Sequence, residues 1–205
     1  MTQLTPNFWQ EKFETQQTGW DRGQASPQLM HWLASGALSP RETQRIAVPG
    51  CGKGWEVAAL SEAGFETTGL DYTPAAVAEA QQRLQGAGLA AQVVQADVLT
   101  YTPEQPFDAV YEQTCLCALT PDNWIAYSQQ LVRWIRPGGR LYALFMQVSR
   151  PGSQQGLVEG PPFHCDINAM HALFDQRHWR WPAGALTQVP HKNGLFELAV
   201  VLERI

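Results

Sequence analysis

Three glycines at alternate positions, Gly50, Gly52 and Gly54, follow a short apolar run, Ile46-Ala47-Val48, and a lone acid, Asp71, closes the next such run, Thr67 to Leu70. Glycine has no Cβ, so backbone N–H groups at such a turn can approach a ligand closely. The residues after the turn, from Trp55 to Ala63, have a helical pattern, and a helix start offers unpaired N–H donors and a partial positive charge. An aspartate at the tip of the following strand can accept both hydroxyls of a ribose. A second acid, Asp97, stands at the tip of a third apolar run, Gln92 to Ala96, where it and the backbone of Val98 can read an adenine. These residue types at this spacing form a cradle for a nucleoside-bearing cofactor.

Two cofactor classes use such a cradle. A dinucleotide site wants G-x-G-x-x-G, with the third glycine allowing close helix packing. Here the spacing is G-x-G-x-G, and the bulky Trp55 occupies the position of that glycine. No G-x4-G-K-[ST] phosphate loop is present either. The remaining candidate is S-adenosylmethionine. Its sulfonium is a cation, and aromatic faces attract cations. Trp9, Phe13 and Trp20, in the N-terminal segment, can supply such faces. These aromatics are either a helix docked on the core or a flap that closes over the ligand.

The elements that must position these residues follow from pattern and punctuation. Phe8, Trp9 and Phe13 are near helical spacing, and Gly19-Trp20-Asp21-Arg22-Gly23 ends that segment. Ser26-Pro27 starts a helix that stops at Gly36, and Thr73-Pro74 starts one that ends at Gly86 or Gly88. Phe107 to Tyr111 predicts a fourth strand, with Glu112 and Gln113 at its end. Pro121 begins a helix whose Trp124, Tyr127, Leu131 and Trp134 share a face, and Arg136-Pro137-Gly138-Gly139 ends it. Leu141 to Met146, apolar throughout, predicts a central fifth strand. Ile167 to Phe174 predicts a helix. Trp179–Val189 and Leu195–Leu202 flank Pro190-His191-Lys192-Asn193-Gly194, a hairpin signal. The chain therefore alternates strand and helix, then finishes with an antiparallel pair.

Bulk properties narrow the class. At 205 residues the chain fits one domain with a sizeable core, and its hydrophobic fraction of 44% is that of a globular protein. A net charge of −5 argues against a nucleic-acid partner. No apolar run reaches the ~20 residues of a membrane helix, and the N-terminus lacks the features of a signal peptide, so a cytoplasmic protein is expected. The four cysteines, Cys51, Cys115, Cys117 and Cys165, form no CxxC pair, and no metal is expected. His171, Asp175 and His178 have metal-like helical spacing but read as a solvated helix face.

The motifs also resemble a known family. Trp9, Phe13 and Trp20 with Trp20-Asp21-Arg22-Gly23, then Val48-Pro49-Gly50-Cys51-Gly52, Gly69-Leu70-Asp71, Cys117-Ala118 and Gly160-Pro161-Pro162-Phe163 are similar to the thiopurine methyltransferase superfamily of class I methyltransferases. Within it the chain looks closest to the plant halide, thiocyanate and thiol methyltransferases. The resemblance implies a Rossmann-like α/β fold. It would have a mostly parallel seven-stranded sheet, a C-terminal antiparallel hairpin and helices on both faces. It implies one domain over residues 1–205, with 1–36 as an aromatic lid over the cofactor. The cofactor contacts it implies are Trp9, Phe13, Trp20, Gly50, Cys51, Gly52, Asp71, Tyr72, Asp97, Val98 and Gln113. Candidate substrate-side residues are Gln113, Cys115, Cys117, Met146, Phe163 and His164. Trp124 stands where relatives usually carry an arginine, which favours a small apolar nucleophile.

The expected activity is transfer of a methyl group from S-adenosylmethionine to the sulfur of a small thiol, sulfide or thiopurine-like acceptor, leaving S-adenosylhomocysteine. Halide, thiocyanate or a metalloid oxyanion such as tellurite are alternative acceptors for the same fold. A nicotinamide-dependent oxidoreductase and a non-catalytic cofactor-binding protein are the readings from other classes. The expected protein is a monomer that meets a small molecule, with no nucleic-acid or membrane partner.

Overall fold

Strand order, more than any single element, places the cradle. The computed structural model describes residues 4–41, 44–152, 157–191 and 194–205. The sheet runs β3 (Gln92–Gln95), β2 (Glu66–Asp71), β1 (Arg45–Pro49), β4 (Phe107–Gln113), β5 (Ile135–Gln147), β8 (Phe196–Arg204), β6 (Trp179–Arg180), with β7 (Thr187–Pro190) also paired to β8. β3 to β5 are parallel, whereas β8 is antiparallel to β5, β6 and β7. β7 pairs with Phe196–Ala199 and β6 with Glu203–Arg204, so the two share the outer edge of β8. Among the described residues eight strands thus fill seven positions, the number the sequence resemblance implies. From β1 the chain moves one way to β2 and β3, then returns to β4 on the other side. Such a reversal opens a crevice at the C-terminal ends of β1 and β4.

Helices cover both faces. α2 (Pro27–Ser35), α3 (Trp55–Glu62) and α4 (Pro74–Ala87) bury Leu29, Trp32, Val57, Leu60 and Leu84 against Ile46, Val48, Ala109, Tyr111, Tyr142 and Leu144. On the other face α5 (Trp124–Trp134) buries Trp124, Tyr127, Leu131 and Trp134. They pack with Ala47, Val110, Leu141, Ala143 and Phe145, and with Met170 of α6 (Ile167–Leu173). Successive residues from Ile46 to Val48 of β1 and from Leu141 to Phe145 of β5 enter the two clusters in turn, the period-two alternation of a strand buried on both sides.

Local punctuation works as expected at several ends. Ser26 Oγ accepts from the Gln28 N–H at 3.3 Å with Pro27 behind it, and α2 stops at Gly36, whose φ is +76°. Thr73 precedes Pro74 but makes no side-chain cap; Gln10 of α1 (Pro6–Glu14) accepts from the Ala75 N–H at 3.0 Å instead. Alternation of strand and helix lapses between β3 and β4. Asp97 C=O accepts from Thr100 and Tyr101 in a single turn, and α5 serves this link through Gln130 Nε2 to Leu99 C=O and Trp134 Nε1 to Tyr101 C=O. Two prolines, Pro103 and Pro106, leave that short segment no room for a helix.

Residues 187–190 and 196–204 form the expected hairpin; Lys192 and Asn193 of its turn lie outside the described residues. Among the described residues no helix is long and apolar enough to cross a membrane. His171, Asp175 and His178 meet no metal-like grouping: His171 stacks on Trp181 and Asp175 accepts from Arg177.

Candidate active site

At the crevice, β1 ends in the glycine turn and β2 ends in Asp71. Gly50 and Gly52 take φ of +58° and +51°, which L side chains resist. A Cβ on Gly50 would lie 3.0 Å from Cys115 Cβ, so the turn and the β4 tip approach as closely as backbone allows. Asp71 is buried. Its Oδ2 accepts from the Gly52 N–H at 3.0 Å and its Oδ1 from the Thr73 N–H at 2.9 Å. A carboxylate offers about four lone-pair sites, more than these two bonds use. Burial raises the carboxyl above its usual range, opposed by those N–H donors. Gly54 has φ +75° and its Cβ would fall 2.8 Å from Ala80 Cβ of α4. The third glycine of the G-x-G-x-G spacing therefore permits the close helix approach. Trp55 sits outside that contact, stacked under the Arg83 guanidinium with its Nε1 donating to Asp21 Oδ1 at 3.0 Å.

α1 and the loop after it cover the crevice. Trp9 and Phe13 meet Trp20 edge-on at 5.3 and 5.9 Å between ring centroids. The cover is held down by Gln10 on α4, by Gln16 on Glu79, and by Lys53, which reaches Gln16, Asp21 and Glu79. Beneath it lies a cavity of ≈ 460 Å³. Among the described residues of the first 36, Phe8, Trp9, Lys12, Phe13, Gln17, Gly19 and Trp20 line this cavity, while α2 packs on the sheet through Leu29 and Trp32.

The cavity gathers most of the residues singled out from sequence. Trp9, Phe13, Trp20, Gly50, Gly52, Asp71, Tyr72, Asp97 and Val98 line it, as do Cys115, Cys117 and Met146. Four others do not. Cys51 is buried with its thiol against Gly69 and lines the adjoining recess at the tips of β1 and β4, while its neighbours Gly50 and Gly52 line the cavity. Gln113 lines the adjoining recess beside the glycine turn, where its Nε2 donates to both Glu197 oxygens at 3.2 and 3.0 Å and its Oε1 accepts from Tyr111 Oη at 2.7 Å. Phe163 packs under Gly160, and His164 Nδ1 accepts from the Val148 N–H at 3.1 Å. Trp124 also faces away, its Nε1 shared between the carbonyls of Leu116 and Leu119. Sequence reasoning missed Thr114, Pro161, Pro162, His191 and Leu195, which complete the wall. Of these the prolines lay within a quoted motif, and His191 and Leu195 within the hairpin signal and its flanking run, none of them as a site residue.

Burial pushes the Cys115 and Cys117 thiols well up, so both are neutral. Behind the wall, Glu112 is buried and accepts from the Leu116 N–H at 2.6 Å, which fixes the turn that presents both cysteines. Burial raises its carboxyl to about 8, and raises that of Glu197 to about 7 against the opposing charge of Arg22. In the unfolded chain a glutamate titrates near ~4.3. The folded state thus binds more protons between about pH 5 and about pH 8, and stability declines as pH rises through that window. We expect the melting temperature to fall by several degrees from about pH 6 to about pH 9, and Glu112→Gln to flatten the decline. Differential scanning fluorimetry across pH checks this; a melting temperature that holds or rises over that span would contradict it.

The features test well against a sulfonium nucleoside. A glycine turn that a Cβ would close floors the cavity, a half-used carboxylate stands at the β2 tip, and aromatic rings roof it. Sheet order, switch-point crevice and site together define a class I methyltransferase with S-adenosylmethionine as methyl donor. Among solved structures, the fold matches Burkholderia thailandensis 1,6-didemethyltoxoflavin-N1-methyltransferase, crystallised with S-adenosylhomocysteine. The match has a TM-score of 0.75 at 18% identity, covering 98% of this chain and 87% of that one. Sequence relatives include thiocyanate methyltransferase 1 of Arabidopsis thaliana, 28% identical over 80% of this chain and 70% of its own length. The thiopurine S-methyltransferase of Pseudomonas putida (strain GB-1) is 28% identical over 78% of each chain. The family model for thiopurine S-methyltransferase matches residues 4–184, and the chain belongs to that family.

Proposed function

We propose that the protein methylates the sulfur of a small thiol, sulfide or thiopurine-like acceptor. The observation that carries this is the cavity of ≈ 460 Å³ at the strand tips, which has room for donor and acceptor together and whose wall through Cys117, Ala118, Leu119, Met146 and Leu195 is apolar. Relatives named for thiocyanate, thiol and thiopurine acceptors support sulfur as the nucleophile.

S-Adenosylmethionine supplies a methyl group already activated on a sulfonium. The chain's part is to hold and align, worth roughly 7–11 kcal/mol of barrier in well-oriented cases. Asp71 grips the ribose; Asp97 and the Val98 backbone border the adenine. Gly50 and Gly52 let the backbone approach, with Cys51 and Tyr72 beside them. Trp9, Phe13 and Trp20 turn ring faces to the positive charge and exclude water, which strengthens a soft nucleophile. Residues 8–20 act as the lid. Cys115, Cys117 and Met146 wall the acceptor, whereas Gln113, Phe163 and His164 support that wall from behind. Lys12 also lines the cavity, which favours an anionic sulfur or halide acceptor as the second reading. We expect a monomer, and four free, buried cysteines suit a reducing, cytoplasmic setting.

Calorimetry with S-adenosylmethionine and with NADH tests the donor: micromolar binding of the first and none of the second is expected. A panel of sulfide, methanethiol, iodide, thiocyanate, a thiopurine and tellurite then tests the acceptor, volatile products being read in headspace gas. Tight NADH binding, or turnover of tellurite alone, would reverse the proposal.

A further inference from the structure

We propose, building on the methyl-donor cavity and its aromatic lid, that Arg22 and Glu197 form a proton-sensitive latch that holds the lid shut over the bound cofactor. The lid segment, ending at Trp20, runs directly into Arg22, while Glu197 belongs to β8, three places beyond β1 in the sheet. Arg22 Nη2 donates to Pro190 C=O at 3.0 Å and stands 3.4 Å from a Glu197 oxygen. The other fastenings of the lid lie on the opposite side of the crevice. Gln10 and Gln16 reach α4, and Asp21 meets Lys53 and Trp55 beside the glycine turn. The Arg22–Glu197 pair therefore ties the lid segment across to the β7–β8 hairpin.

Glu197 is fully buried, opposite Met146 of β5 and Val189 of β7, and Met146 lines the cavity. Gln113 Nε2 donates to both of its oxygens, and Gln113 is itself fixed by Tyr111 Oη at 2.7 Å. Among the described residues Arg22 is the one cation within ion-pair distance of Glu197. The other titratable groups that face it are Glu56 of α3, Tyr111 and Glu112 of β4, and the Cys117 and Cys165 thiols. Burial keeps the Tyr111 hydroxyl and both thiols protonated, and the Glu56 charge opposes a second charge on Glu197. Asp21 and His191 border the same recess.

The two partners of the latch move differently. If the lid lifts, Arg22 leaves with it, and Glu197 stays in the sheet. A buried carboxylate that loses its cation is costly, and it neutralises by taking up a proton instead. A proton that arrives first has the same result, because a neutral Glu197 no longer attracts Arg22. The closed state thus binds fewer protons than the open one, so closure strengthens as pH rises and weakens as pH falls. With Arg22 in place, burial still holds the carboxyl at about 7, and without Arg22 it lies higher. The latch is complete above that higher value, fades as pH falls toward about 7, and is lost below it. Each unit that Arg22 takes off the carboxyl's pKa makes closure about tenfold more favourable. Global stability moves the other way over this range, since the unfolded glutamate gives up its proton near ~4.3.

A lid that opens for product release turns this linkage into a rate. The test measures release of S-adenosylhomocysteine from the full chain, by tryptophan fluorescence after stopped-flow dilution, at about pH 6 and about pH 8. Wild type is expected to release it about tenfold faster at the lower pH. Burial also raises the Asp71 and Glu56 carboxyls, so variants must identify the group responsible. Glu197→Gln and Arg22→Met should each release at about pH 8 as fast as wild type does at about pH 6, with little change between the two. Arg22→Lys keeps a cation and should retain part of the wild-type pH dependence, which a purely structural role for Arg22 would not do. Melting temperatures confirm that the variants are folded, and Arg22→Met carries the test if Glu197→Gln is not.

Equal release by wild type at the two pH values, or slow release at about pH 8 from either uncharged variant, would overturn the latch. Wild type that binds no S-adenosylhomocysteine would instead remove the methyl-donor reading, and this inference with it.

Discussion

Asp71→Ala is expected to weaken S-adenosylmethionine binding by 100-fold or more. A hydrogen bond to a charged group contributes about 1.5–3 kcal/mol, and two ribose hydroxyls give roughly 3–6 kcal/mol before any compensation. Each ~1.4 kcal/mol is tenfold in affinity. The substitution also frees the Gly52 and Thr73 N–H groups that the carboxylate now holds at 3.0 and 2.9 Å, so the glycine turn loses its tie to the β2 tip. Asp71→Asn separates these effects. One amide oxygen still accepts, but the amide nitrogen faces an N–H donor, so the turn is disturbed while the volume is kept. Calorimetric titration of both variants checks the prediction, with melting temperature as the control for folding. An unchanged dissociation constant for Asp71→Ala would mean that the ribose is held elsewhere, and the methyl donor's proposed orientation would go with it.

Gly54→Ala is expected to cost about 2–5 kcal/mol of stability, with the control Gly88→Ala costing about 1 kcal/mol. Both glycines have positive φ, +75° and +66°, so both substitutions carry backbone strain. They differ in surroundings. A Cβ on Gly88 would meet nothing within 4 Å, whereas one on Gly54 would lie 2.8 Å from Ala80 Cβ and 3.2 Å from Ala80 Cα. The difference between the two losses therefore measures how tightly the glycine turn is pressed on α4. Since that turn also floors the cavity, Gly54→Ala should lower donor affinity as well. Urea unfolding of the two variants is the measurement, and equal losses would show that the approach to α4 carries no energy.

Much of the fold was legible because its signals are short-range. β1, β2 and β4 announce themselves by apolar runs, and α2 by Ser26-Pro27 at one end and Gly36 at the other, since capping needs only neighbours in the chain. The glycine turn and Asp71 were legible for the same reason: a strand, a turn, a helix and a strand are enough to bring Gly52 and Asp71 within hydrogen-bond reach. Thr73 shows the limit. It has the residue type of a cap, yet the Ala75 N–H is taken by Gln10 of α1, a partner 65 positions away.

Gln113 shows the limit at the site. Its place at the end of a strand was legible, but not that Glu197, 84 residues later, would take its amide while it lines the recess beside the glycine turn. His191 was legible in the sequence only as part of a hairpin turn, and only the antiparallel return of β8 beside β5 carries it to the cavity wall. From the sequence alone came the local pieces of this protein, its helix ends, its glycine turn, its ribose acid and its family likeness, because each is decided by residues close in the chain. The tertiary structure alone decided which side chains face the cavity, because that depends on the order of strands in the sheet, and pairing between distant segments leaves no mark on the residues beside them.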